Sequence, residues 1–264
     1  MPFAERQFIK MIFYFTGTGN SLYAAKELEC DLVSIPQAMR LGKSEFSSDK
    51  IGIVTPVYGH EMPPMVKDFL RKSKFHTDYL YIILTYGNRH GGAAELANDF
   101  CKECGLHVSY INILWMVDNW LPSFDMNEQK LVDKKVDAQI SAIREDITNR
   151  VERISPVTDT DRAAHREFLG RMKALPSNAW QSMIRITDKC IGCGICERVC
   201  PSGSIRLENG RAVQLAGNCQ TCLACVHACP QKAIGLSIPE KNPDARYRNE
   251  HISLNEIIES NHQI

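Results

Sequence analysis

Eight of the eleven cysteines fall into two runs of identical spacing. Cys190, Cys193, Cys196 and Cys200 are followed by Pro201, and Cys219, Cys222, Cys225 and Cys229 by Pro230. Each run reads C-x2-C-x2-C-x3-C-P, a spacing at which thiolates ligate iron–sulfur clusters. Three closely spaced thiolates can wrap one face of a cubane. The fourth lies too far along the chain, beyond the turn into the next helix. Disulfides and zinc knuckles are the competing chemistries, since C-x2-C pairs also ligate zinc. Neither accounts for the duplicated third and fourth cysteine or for the proline after each run.

The runs form an internal repeat that reaches past the cysteines: Cys200-Pro201-x-x-x-Ile205 is answered by Cys229-Pro230-x-x-x-Ile234. Gly192 and Gly194 keep side chains away from an inorganic core, so that backbone N–H groups can approach its sulfurs. Hydrogen bonds of that kind, with burial, set the potential. Over residues 184–237 the chain resembles a bacterial-type two-cluster ferredoxin, in which the fourth cysteine of each run ligates the other cluster. The resemblance implies two [4Fe–4S] clusters. Cys190, Cys193, Cys196 and Cys229 would hold one, and Cys219, Cys222, Cys225 and Cys200 the other.

A second chemistry is written near the start. An apolar run at 11–15, of the kind a buried parallel strand needs, leads into Thr16-Gly17-Thr18-Gly19-Asn20-Ser21 and then a helical stretch, 22–28. Strand, tight loop and helix together bring free N–H groups and a positive helix end to one point, an anion site. The loop offers three hydroxyls and an amide, with no Lys or Arg before Lys26. A phosphate held by neutral donors suits FMN, whose monophosphate is bound and not transferred. The dinucleotide fingerprint G-x-G-x-x-G fails because Leu22 stands at its third glycine, and a triphosphate loop fails for want of Gly-Lys-Ser/Thr. The loop resembles the phosphate loop of flavodoxins.

The elements that position these loops follow in order. Further strands are expected at 31–35, 51–55, 79–85 and 107–114, with helices at 64–72 and 93–104. Alternation of this kind predicts an α/β fold with a flavodoxin-like, doubly wound parallel five-stranded sheet. A small α+β ferredoxin-like two-cluster domain follows. Ligands bind such sheets at the carboxyl ends of the strands. Loops 16–21, 56–60 and 86–92 all leave those ends, which places them on one edge. There Pro56, Val57, Tyr58 and Gly59, with Tyr86, Gly87, Asn88 and Gly92, are the expected contacts to a flavin ring. Tyr58 and Tyr86 would stack on it or simply pack against neighbouring helices. Arg89 and His90 read as solvated loop charges.

The connector Trp115-Met-Val-Asp-Asn-Trp120-Leu-Pro122 resembles the linker of flavodoxin–ferredoxin fusion proteins of anaerobes, the family this chain is similar to. It would cover the flavin, face the clusters or bury a seam. Apolar residues at helical spacing from Leu131 to Ile154 predict one long amphipathic helix over 125–154, with Asp125 and Glu128 resembling a capping box. The expected organisation is an extension at 1–10, an FMN-binding unit at 11–154 and a helical linker at 155–183. The two-cluster unit at 184–237 is followed by a tail at 238–264, in which no chemistry is apparent beyond a short helix from Ser253. Cys101 and Cys104 form a C-x2-C pair placed mid-to-late on a helix, where thiols are not activated. Cys30 stands alone.

Net charge is zero, with 31 basic and 31 acidic residues, so no electrostatic grip on nucleic acid or membrane is expected. No apolar run is long enough to span a bilayer, and no signal peptide is legible. Cysteine-rich chains without one point to metal and a reducing, cytoplasmic compartment. Two one-electron clusters and a flavin imply electron transfer between clusters and FMN for a separate redox partner protein, a ferredoxin-type donor or an acceptor enzyme. A flavin-dependent reductase acting directly on a small substrate or on NAD(P)H is the alternative.

Overall fold

A computed structural model of the chain describes residues 10–28, 31–176, 179 and 183–263. The 1–9 part of the expected extension and Cys30 lie outside them. Strand β1 (Lys10–Tyr14) is followed by helix α1 (Asn20–Glu27), β2 (Asp31–Ser34), α2 (Ile35–Arg40) and β3 (Lys50–Pro56). Helix α3 (Pro64–Lys72), β4 (Tyr79–Tyr86), α4 (Ala93–Glu103) and β5 (Tyr110–Trp115) complete the alternation. The middle strands are near-continuous apolar runs because helices cover both faces, and every side chain of β4 before Tyr86 is buried. Every pairing in the sheet is parallel, and its order begins β2-β1-β3-β4-β5. That is the flavodoxin-like doubly wound order, with its switch point between β1 and β3.

Three boundaries differ from expectation. Strand β2 ends at Ser34, whose hydroxyl accepts the Gln37 N–H and caps α2, so that Ile35 is helical. Strand β5 begins at Tyr110, three residues after the expected start. The long helix over 125–154 does not form. Instead there are a short helix α5 (Met126–Gln129), a break, helix α6 (Val136–Thr148) and a two-residue strand β6 (Arg153–Ile154). That strand adds a sixth member to the sheet beside β5. The break is local chemistry: Asp133 Oδ1 accepts the Lys135 N–H (2.9 Å), and Lys135 turns left-handed at φ 51°. Aspartate side chains compete with the helix ladder in this way. Leu131, apparently part of the apolar stripe, is 85% exposed. Asp125 caps the Asn127 N–H, and no capping box with Glu128 is seen.

Helix α7 (Asp159–Met172) starts on a capping box between Thr158 and Asp161. The C-terminal part then follows as two similar halves. Strand β7 (Ile184–Ile186), helix α8 (Ile195–Arg198) and β8 (Ile205–Glu208) are followed by β9 (Arg211–Gln214), α9 (Ala224–Ala228) and β10 (Ile234–Leu236). Strands β8 and β9 form a hairpin, and β10 pairs antiparallel with β7. The tail ends in helix α10 (Leu254–Asn261), capped by Ser253 as expected. Among the described residues no helix is long and apolar enough to cross a membrane.

Candidate functional site

The carboxyl ends of β1, β3, β4 and β5 open into one cavity of about 920 Å³. Of the residues expected there, Thr16, Gly17, Thr18, Asn20 and Ser21 line it, with Pro56, Val57, Tyr58 and Gly59, and Tyr86, Gly87 and Asn88. Gly19 and Gly92 do not. Arg89, read as a solvated charge, also lines it. Helix α7 supplies further wall through Phe168: a Cβ on Gly59 would lie 2.9 Å from that ring. The loop at 16–21 is held by internal hydrogen bonds. Thr16 Oγ1 accepts the Gly19 N–H (3.1 Å) and Thr18 Oγ1 accepts the Asn119 amide (2.7 Å), which leaves the Thr18 hydroxyl hydrogen free to donate. The Asn20 side chain is engaged elsewhere, its amide on Val117 O (3.0 Å) and its oxygen on Tyr247.

The connector lies between the cavity and the C-terminal part. Residues 117–120 line the cavity, while Trp120 and Phe124 pack against the core of the cluster-bearing part. Trp115 donates its indole N–H to Gly87 O (2.7 Å), under the Lys134 ammonium. Asp118, not singled out from sequence, is a partly buried carboxyl on the cavity lining. Burial raises its pKa, opposed by the Trp120 N–H on its Oδ1 (2.9 Å).

The eight thiols fall into two neighbourhoods. Cys190, Cys193, Cys196 and Cys229 together line one small void with Ile191, Ile195, Leu207 and Ile234. Cys200 stands instead beside Cys219, Cys222 and Cys225, close enough for its charge to act on all three. Burial pushes the Cys222 and Cys225 thiols up, and Cys196 up to about 12. Left alone these groups stay protonated; a bound cationic centre deprotonates a coordinating thiol outright. Backbone N–H groups are already aimed at four of the sulfurs. Ser204 and Ala233 donate to Cys200 and Cys229 (both 3.2 Å), Ala212 to Cys190 and Thr221 to Cys219 (both 3.4 Å). The first two bonds occupy equivalent places in the repeat. This donor set fits an iron–sulfur cluster in each quartet.

The halves differ where they meet the cavity. Gly192 and Gly194 take left-handed backbone (φ 68° and 75°) in the first half, and their counterparts Thr221 and Leu223 do the same (φ 54° and 57°) in the second. A β-branched residue there is strained, at a cost of about 1–3 kcal/mol. Thr221 and Leu223 line the cavity together with Cys219 and Gln220. The second quartet therefore borders the flavodoxin-like cavity directly, while Cys193 and Ile191 (64% exposed) bring the first to the surface. His227, between Cys225 and Cys229, was invisible in the sequence. Burial lowers its pKa to about 4, so it is neutral. It accepts the Tyr247 N–H at Nδ1 (3.0 Å) and donates from Nε2 to Asn119 O (2.9 Å).

A switch-point cavity beside paired thiol quartets defines a redox protein of two parts. The family model of the 4Fe-4S dicluster domain matches residues 182–230. An uncharacterized ferredoxin of Methanocaldococcus jannaschii is 36% identical over 63 residues, 22% of this chain and 82% of that one. A component of the ion-translocating oxidoreductase complex of Methanosarcina acetivorans is 51% identical over 47 residues, but the match spans only 18% of either chain. Among solved structures, an NADH:FMN oxidoreductase in its apo form aligns over 59% of this chain and 94% of its own, at 14% identity and a TM-score of 0.38. That likeness adds nothing to what the sheet order itself shows. The chain belongs to the ferredoxin family through its C-terminal part, where the 4Fe-4S dicluster domain matches, and carries a flavodoxin-like sheet before it.

Proposed function

We propose that the chain is an electron carrier in which FMN occupies the 920 Å³ cavity and two [4Fe–4S] clusters occupy the quartets. In this reading 11–154 is the flavin unit and 184–237 the cluster unit. The observation that carries it is Cys219, which lines the cavity while belonging to the second quartet. Flavin, cavity-side cluster, outer cluster and surface then lie in series. FMN exchanges one or two electrons and each cluster one, so the flavin serves as the gate.

The residues of this chain do the positioning. Thr16, Thr18 and Ser21 hold the phosphate with neutral donors, and Tyr58 and Tyr86 flank the ring. Leu223 and Thr221 keep water from the seam between ring and cluster. The exposed face at Ile191 and Cys193 is where a redox partner docks. The M. acetivorans relative is named as part of an oxidoreductase complex, which supports a partner of that chemical class.

A direct reductase is the second reading, favoured by Arg89 on the cavity lining, beside Lys67, Arg71 and Arg171, which are paired with Glu61, Asp68 and Glu167. Anaerobic holoprotein mixed with NADH or NADPH separates the two. The carrier reading expects the flavin absorbance to stay unbleached by either nicotinamide, yet to bleach with a low-potential one-electron protein donor. Rapid bleaching by a nicotinamide would establish the reductase instead.

A further inference from the structure

The tail, in which the sequence shows no chemistry, runs back over the phosphate loop. The Asn249 N–H donates to Thr18 O (2.9 Å). Tyr247 OH (2.6 Å) and Asn249 Nδ2 (3.2 Å) both donate to Asn20 Oδ1, and Asn261 Nδ2 donates to Thr16 O (3.0 Å). Gly19 is pressed by the tail, since a Cβ there would lie 3.0 Å from the Asn249 Cβ and 3.1 Å from the Ile252 Cβ. The loop carbonyls of Thr16 and Thr18 are thus satisfied from outside. An anion seated in the loop meets N–H and hydroxyl groups in their place.

The same segment is tied to the cluster unit. Asn261 Nδ2 also donates to Val199 O (3.2 Å), one residue before Cys200. Tyr247 is bonded to His227, His227 to Asn119, and Asn119 to Thr18 Oγ1. Two hydrogen-bonded arms therefore run from helix α9, which bears Cys225, to the phosphate loop. One passes through Tyr247 to Asn20 and the other through Asn119 to Thr18.

We propose that Tyr247 and Asn249 are positioning residues that shape the phosphate loop, so that affinity for the FMN phosphate is set by the docked cluster unit and tail. This rests on the reading of the cavity as an FMN site. The coupling is reciprocal by thermodynamic necessity: whatever tightens the interlock tightens the phosphate, and a bound phosphate tightens the interlock.

The test compares FMN with riboflavin, which lacks the phosphate, on cluster-loaded protein whose iron is quantified. Dissociation constants are read by flavin fluorescence for the natural chain, Tyr247→Phe, Asn249→Ala and the double variant. Each lost hydrogen bond is expected to weaken FMN by about two- to tenfold, more in the double variant, with riboflavin affinity and iron content unchanged. Equal weakening of both flavins, or loss of iron alongside FMN, would make the tail a general prop and overturn the proposal. Unchanged FMN affinity in all three variants would overturn it too. Failure of the natural chain to bind FMN would remove the cavity reading beneath it, a result distinguishable because it needs no variant.

Discussion

Cys200→Ala will leave about half of the iron, and the half it removes is the cluster of the other sequence run. Cys200 follows Cys196 by four residues, yet its neighbours in space are Cys219, Cys222 and Cys225. The variant should keep the outer cluster and the flavin but lose electron delivery from a protein donor to the flavin, because the cavity-side cluster is missing from the series. Cys229→Ala is the mirror case, since Cys229 lines the void of Cys190, Cys193 and Cys196. It should keep the cavity-side cluster and lose the surface port. Iron analysis and low-temperature EPR of the reduced variants check both. If Cys200→Ala and Cys190→Ala gave the same residual cluster, the thiols would be paired within runs and the series order would fall. Each loss also costs stability, because metal binding free energy is folding free energy.

Gly17→Ala is the second large effect. Gly17 lies where the phosphate loop touches the cluster unit, and an added Cβ would fall 2.6 Å from the Cys222 carbonyl oxygen and 3.2 Å from the Tyr58 hydroxyl. A backbone oxygen cannot swing aside as a side-chain tip can, so the loop and the seam must part. Overpacking of this kind costs about 1–3 kcal/mol. If about half of it falls on the bound state, FMN binding weakens by about two- to tenfold. Thermal unfolding of the loaded protein and an FMN titration measure the two components. An unaltered midpoint and affinity would mean that the seam is loose and that cavity and cluster are not held in contact.

The two cysteine runs and the loop at 16–21 stand out in the sequence because each is a short run whose spacing carries its own chemistry. Twelve of the fourteen residues expected around the flavin line the cavity, since strand ends that alternate with helices must share one edge. What could not be read depends on partners distant in sequence. Tyr247 and Asn20 are separated by 227 positions, and Asn261 and Thr16 by 245, so a polar tail looked inert. The helix over 125–154 does not form, and periodicity is blind to the cause: one aspartate, Asp133, reaching forward to the Lys135 N–H. Thr221 and Leu223 are not legible for a related reason: only the backbone shows that they occupy the left-handed places held by glycine in the first half. Burial pushes the Cys101 thiol up to about 12.

The central claim is the series of surface, outer cluster, cavity-side cluster and flavin. Anaerobic stopped-flow mixing with a low-potential one-electron protein donor tests it most directly, by following cluster and flavin absorbance in one experiment. The series predicts that cluster bleaching leads and flavin reduction follows at the rate of cluster reoxidation, and that Cys200→Ala abolishes the second phase while keeping the first. Flavin reduction that precedes cluster bleaching, or that persists undiminished in Cys200→Ala, would contradict it.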